Sequence, residues 1–271
     1  MISRREVLKA GFIVGAGTMA SSENIFSSPK TSGEIRVLFL VGDYWHNGMA
    51  QESHWRNVLG PTGWKLLFAQ SSQFVTPQTL KQADLLVVAR YSGPDSIGWS
   101  SEGIVEDRPT PAPFMTEEQE TAIIDNVQRG MGLLAMHCTV WNNDRKKFLN
   151  LIGIKESAMH GPVQYVKIHD INQTHPITKG ITEFDIELDE NFGANVDEKR
   201  VTVLYKSTGM QDGRVDNAAW CCEAGNGRIV ALLAGHTQNP FHKGQFKEIM
   251  WRSAHWALKR DLPQTEFHDG Y

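Results

Sequence analysis

Four short runs of nearly unbroken apolar residues constrain this chain most. They are Ile35–Val41 (IRVLFLV), Asp84–Arg90 (DLLVVAR), Gly132–Met136 (GLLAM) and Arg228–Ala234 (RIVALLA). A strand with one wet face alternates apolar and polar residues, whereas a continuous run of β-formers suits a strand buried on both faces. Lys65–Ala69 and Ala218–Cys222 read as two more strands. Between the early runs lie helix-like stretches, one ending near Leu59, one at Pro77–Gln82 and one opened by Thr116-Glu117-Glu118-Gln119. That last tetrapeptide is a capping box: the Thr and Gln side chains can each satisfy the other's backbone N–H. The helix it starts carries Ala122, Ile123, Ile124 and Val127 and stops at Gly130. Arg145–Ile152 and Lys243–Lys259 complete the helices. Strand and helix in alternation predict an α/β fold with a mainly parallel sheet and helices on both faces. Residues 163–207 are less regular and read as strands and loops inserted before the last core strand. Tyr91–Met115 holds four prolines and no periodicity, so it reads as a functional cover or a disordered segment.

The N-terminus reads as an address. Arg4-Arg5 precede a short, Gly-rich apolar run to Ala20, the pattern of a twin-arginine export signal, with Ser21–Ser32 as a polar linker. The run is too short for a stable membrane span. The expected organisation is therefore a leader and linker over 1–30 and a single domain over 31–271, exported or periplasmic, with no stable membrane insertion after cleavage. Residues 1–30 hold four Lys/Arg and two Asp/Glu, so the remainder carries 23 basic against 29 acidic residues, a net charge of −6. No basic face suited to nucleic acid is expected. Three cysteines make no disulfide framework. Homo-oligomerisation is left open.

In open α/β sheets the ligand sits beyond the carboxyl ends of the strands. The polar residues at those ends are Asp43, Trp45 and His46; Arg90 and Tyr91; His137, Cys138, Thr139 and Trp141; and Gly235, His236 and Thr237. Three of the four ends deliver a histidine, from only ten in the chain.

The segments Gly132–His137 (GLLAMH), Met159-His160-Gly161, His175–Gly180 (HPITKG), Asp189-Glu190 and Ala234-Gly235-His236 occur in the order and spacing of the ThuA-like, trehalose-utilisation family. The resemblance covers about residues 35–258. It implies a flavodoxin-like three-layer sandwich of the class I glutamine amidotransferase type. It also implies a link to disaccharide use through 3-keto-sugar intermediates. Where the family usually shows an aromatic pair after Asp-Glu, this chain has Asn191-Phe192.

His137 falls where that fold sets a nucleophilic cysteine, but the elbow glycines are missing. His137 in the site with Cys138 packed beneath is the favoured reading; Cys138 as nucleophile is the other. Glu190 joins His137 as the expected acid/base pair, because proton transfer to a sugar carbon or oxygen needs a carboxylate or imidazole tuned near ambient pH. Asp43, Trp45, Trp141 and Asp189 are the expected substrate contacts, the indoles (Trp99 with them) by stacking on a sugar ring. His46, His160 and His236, with His137 and Glu190, would suit Zn or Mn. His255 reads as a core histidine, His175 as a shaping residue before Pro176, and His54 as a helix residue with no obvious partner. The expected function is an enzyme of hydrolase, lyase or isomerase type acting on a sugar or keto-sugar. The competing expectation is a non-catalytic carbohydrate-binding or scaffold protein on the same fold.

Overall fold

The computed structural model describes residues 26, 28–43, 45–91, 114–141 and 144–262. Most of the expected leader, Trp99 and nearly all of the Pro-rich segment lie outside them. Five short strands, β1 (Arg36–Val41), β2 (Lys65–Ala69), β3 (Leu85–Ala89), β4 (Gly132–Met136) and β9 (Gly227–Leu232), pair in parallel in the order β2-β1-β3-β4-β9. These are the continuous apolar runs, and β1, β3 and β4 are buried at every position. Their side chains divide between two faces. Leu38 and Leu40 point into one apolar cluster and Val37, Phe39 and Val41 into the other.

Helices α1 (Gly48–Leu59) and α5 (Gly244–Ala257) cover the second face through Trp55, Leu59, Phe246 and Met250. The first is covered by α2 (Pro77–Gln82), α3 (Glu117–Arg129) and α4 (Lys146–Leu151) through Leu80, Ile123, Val127 and Phe148. The capping box at Thr116 forms as expected, with both reciprocal bonds in place.

The sheet is not mainly parallel. Four long strands, β5 (Ile154–His169), β6 (Phe184–Val196), β7 (Thr202–Gly209) and β8 (Val215–Ala224), continue it beyond β9 in antiparallel fashion, giving β2-β1-β3-β4-β9-β8-β7-β5-β6. They run 8 to 16 residues against 5 or 6 in the parallel strands. The physical reason is legible afterwards. β7 and the first turn of β6 alternate buried and exposed residues, as a strand with one wet face does, and such strands need no crossover helix. The region read as an insertion, residues 163–207, thus belongs to the sheet itself: it holds β6, most of β7 and the end of β5.

The linker expected up to Ser32 is not free of the domain either. Phe26 is buried in the first core cluster, and the Arg36 guanidinium lies 4.9 Å from its ring centre while donating to the Ser28 carbonyl at 2.7 Å. Phe26→Ala should therefore lower stability by about 3 kcal/mol, the low end for a core Phe, because a segment near the chain end can relax into the gap. Urea unfolding measures it; an unchanged midpoint would mean that Phe26 is not part of the core.

Candidate active site

Pairing of β1 with β3 and of β4 with β9 aligns their carboxyl ends, so the segments after them converge at one edge of the sheet. After β1, Asp43 is 1% exposed and serves as the hub of a turn. Its carboxylate accepts from the N–H groups of Trp45 (2.7 Å), His46 (3.1 Å) and Tyr91 (2.7 Å), and from His46 Nδ1 at 2.8 Å. Burial pushes the Asp43 carboxyl up, but the hydrogen bonds from His46, Tyr91 and Trp45 together with the His46 charge outweigh it and hold the carboxyl below its ordinary value. Because a carboxylate only accepts, His46 Nδ1 carries the proton and its buried Nε2 presents a lone pair with no partner.

After β4, His137 takes φ +44°, a backbone state uncommon for a residue with a side chain. Thr139, two residues on, donates to the Val88 carbonyl at 2.7 Å and ties this turn to β3. His137 Nδ1 faces the Leu233 carbonyl at 2.9 Å, so it too carries the proton, and Nε2 is again a partnerless lone pair. Burial, with His46 nearby, drives the His137 imidazole well below its usual range, and it stays neutral. After β9, Gly235 at φ +136° turns the chain so that the His236 ring points back, its Nδ1 also without a hydrogen-bond partner.

Glu190 comes from the antiparallel half. Its Oε2 lies 3.6 Å from His137 Nε2 and 3.4 Å from His236 Nδ1, and its Oε1 lies 3.3 Å from His160 Nδ1. Burial raises the Glu190 carboxyl above its ordinary value, against the pull of His160 and His46. His160 sits in β5, although the Gly161-Pro162 dipeptide that follows it is a local turn signal. Its place is a bulge between His160 and Val163 that faces Glu190–Phe192 and re-aims the strand. The His160 ring stacks on Phe192, with centroids 5.0 Å apart, and meets the Trp141 edge. Phe192, the departure from the family pattern, therefore supplies an aromatic wall.

The result is a cavity of about 320 Å³, with His46, His137, His236 and Glu190 along one side and Trp45, Tyr91, Trp141 and Phe192 around it. Trp45 is 65% exposed. Asp43 and Asp189, expected as substrate contacts, do not line it. Asp189 is fully buried and accepts from the N–H groups of Gly235 (2.9 Å), His236 (2.9 Å) and Thr237 (3.1 Å); burial nevertheless pushes its carboxyl up to about 7. Cys138 lines the cavity wall, with Sγ 3.5 Å from His46 Nδ1 and 3.8 Å from Asp43, and burial holds it as the thiol. Sequence reasoning missed the support beneath His46 and the cavity role of Phe192. The pairing of Asp and His three residues apart was the available signal for the first. Outside the cavity, His255 Nδ1 donates to the Trp251 carbonyl (2.9 Å) in the core, while His54 has partners after all, Gln238 and the Phe241 ring.

The trehalose-utilisation family ThuA matches over residues 36–257. The chain belongs to the ThuA family. No curated protein matches. A ThuA-like protein from Parabacteroides merdae is 17% identical, covers 85% of this chain and 94% of its own, and superposes with a TM-score of 0.61. One from Bacteroides uniformis is 13% identical, with 86% and 95% covered and a TM-score of 0.60. A β-galactosidase from Rahnella sp. R3 shares the fold over 85% of this chain but 33% of its own, at 12% identity and a TM-score of 0.55. At these identities the solved structures show the family's fold.

Asp43→Asn should destabilise the protein by about 1–3 kcal/mol at pH 7, since it removes a charged acceptor from four buried donors. The folded-state carboxyl is depressed, so its contribution is full above the unfolded value of about 3.9 and is lost as pH falls below it. Urea midpoints of both proteins at pH 7 and pH 3 should converge at the lower pH; an equal gap at both would contradict the assignment.

Proposed function

We propose that this ThuA-family protein is an enzyme that moves a proton on a sugar or keto-sugar, with the Asp43-backed His46 and Glu190 as the proton-transfer groups. One observation carries the reading: several acceptor atoms with no donor partner converge in one small cavity walled by aromatic rings. Lone pairs of His46 and His137 and the Glu190 carboxylate call for donors, and a sugar offers hydroxyl groups on every face. The aromatic rings suit the C–H face of the same molecule. A volume near 320 Å³ lies at the low end of the roughly 300–1,000 Å³ range of small-molecule sites, which favours one sugar ring inside and the rest of a glycoside at the mouth. The family's description as trehalose utilisation supports the substrate class.

The roles follow from the protonation states. His137, neutral and with its proton committed to a backbone carbonyl, acts as an acceptor and orients substrate. His46 resembles the histidine of a carboxylate–histidine pair, its tautomer and ring orientation fixed by the Asp43 carboxylate behind it. Glu190, raised by burial, is suited to give or take a proton near neutral pH. Proton abstraction beside a ketone, or cleavage of the glycosidic bond, would use both.

Purified protein incubated with glucosides and their 3-keto forms should yield new products by NMR. His46→Ala and Glu190→Gln should each slow turnover by at least about 100-fold, the low end for a positioned acid or base, with folding retained. Binding of sugars without any turnover would favour the carbohydrate-binding alternative and sink the enzyme reading.

We also propose that residues 1–30 export this chemistry through the twin-arginine route. Joint replacement Arg4→Lys and Arg5→Lys should retain the protein inside a bacterial host, as read by cell fractionation. Undiminished export would overturn it.

A further inference from the structure

We propose that His137 Nε2, His236 Nδ1 and a Glu190 carboxylate oxygen together hold one divalent transition-metal ion of the zinc class. The proposal deepens the acid–base reading and rests on it for the ion's role, though not for its binding.

Geometry comes first. The three ligand atoms lie within 4.8 Å of one another, and Glu190 Oε2 stands 3.6 Å from His137 Nε2 and 3.4 Å from His236 Nδ1. Tetrahedral ligands at about 2.0–2.2 Å from a metal are themselves about 3.3–3.6 Å apart, so these two edges already have the length that coordination needs. Both are longer than an ordinary hydrogen bond. The second observation is independent of the first. His137 is 2% exposed, and its Nε2 faces the cavity with no partner. Its other nitrogen is fixed by the Leu233 carbonyl, the outer contact that orients a metal-binding imidazole and leaves the correct lone pair free. Two imidazoles, one carboxylate and an open side toward the cavity form the ligand set of a catalytic rather than a closed structural site.

Other donor sets are less suitable. His46, His137 and Cys138 also lie within 4.8 Å of one another. A thiolate at Cys138, however, would stand 3.8 Å from the Asp43 carboxylate, and His46 Nδ1 is already bonded to that carboxylate. His160 belongs to neither group among the described residues, and its Nδ1 faces the Gly161 carbonyl at 2.9 Å. The ligand set is therefore narrower than the five residues the sequence suggested: His137, Glu190 and His236 remain, His46 drops out, and His160 positions Glu190 from outside. With the ion bound, Glu190 serves as a ligand instead of a proton-transfer group, so the acid–base reading narrows to His46, whose Nε2 faces the same cavity.

The test uses the full chain without a polyhistidine tag, stripped with chelator and titrated with Zn²⁺ alone by calorimetry. Metal content after desalting is read by mass spectrometry. One ion per chain is expected. His137→Ala, His236→Ala and the near-isosteric Glu190→Gln should each weaken binding by about 100-fold or more, beyond the loss typical of an outer-shell change. His46→Ala and the distant control His169→Asn should keep full stoichiometry, with near-UV circular dichroism verifying each fold. Binding of Co²⁺ should give the visible bands of a tetrahedral site. Absence of saturable binding, or binding indifferent to the three ligand variants, overturns the proposal. So does loss of the ion in His46→Ala, which would move it to the other cluster. Metal binding with no sugar turnover would support the site and count against the enzyme reading; turnover by chelated, metal-free protein would do the reverse.

Discussion

The buried Asp189 carboxylate is the interaction on which the site depends. It lies on β6, the edge strand of the antiparallel half, yet it accepts three backbone N–H groups from Gly235-His236-Thr237, which follow the last parallel strand. Hydrogen bonds to an anion are stronger than neutral ones, and three from one loop fix that loop's path. Glu190, next in sequence, is thereby presented on the opposite side of β6 toward His236 and His137. Chain alternation does the rest: consecutive strand residues point to opposite faces. One carboxylate clamps the halves and its neighbour faces the cavity.

This division of labour explains why the Asp189-Glu190 pair was only half legible. Two adjacent acids beyond an alternating run read equally well as two substrate contacts. Only the topology decides which one turns inward to the backbone and which faces the cavity. The same holds for Asp43. Its position at a strand end was plain in the sequence, but its use as a turn hub under His46 depends on the Tyr91 N–H, 48 residues away. His46, His137 and His236 were legible because the end-of-strand rule needs only the strands, and the continuous apolar runs gave those almost to the residue.

What the sequence concealed most was the antiparallel half. β5 carries Lys, Glu, Gln and His among its apolar residues, and its bulges break the period of two, so no run stands out. Those bulges, however, are what bend the β5–β6 ribbon enough to bring His160 and Glu190 to the parallel strands. The irregularity that hid the strands is thus the device that completes the site. His160 is a case in point: Gly161-Pro162 signals a turn locally, while pairing of His160 with Phe192 overrides it.

The mixed sheet has a thermodynamic consequence. His46, His137 and His236 are carried by the parallel strands, Glu190, His160 and Phe192 by the antiparallel ones. Anything that binds between them acts as a cross-link across the seam of the sheet. By linkage its occupancy adds to the stability of both halves at once. A protein of this design reports saturation of the seam, by whatever ligand, as a rise in melting temperature.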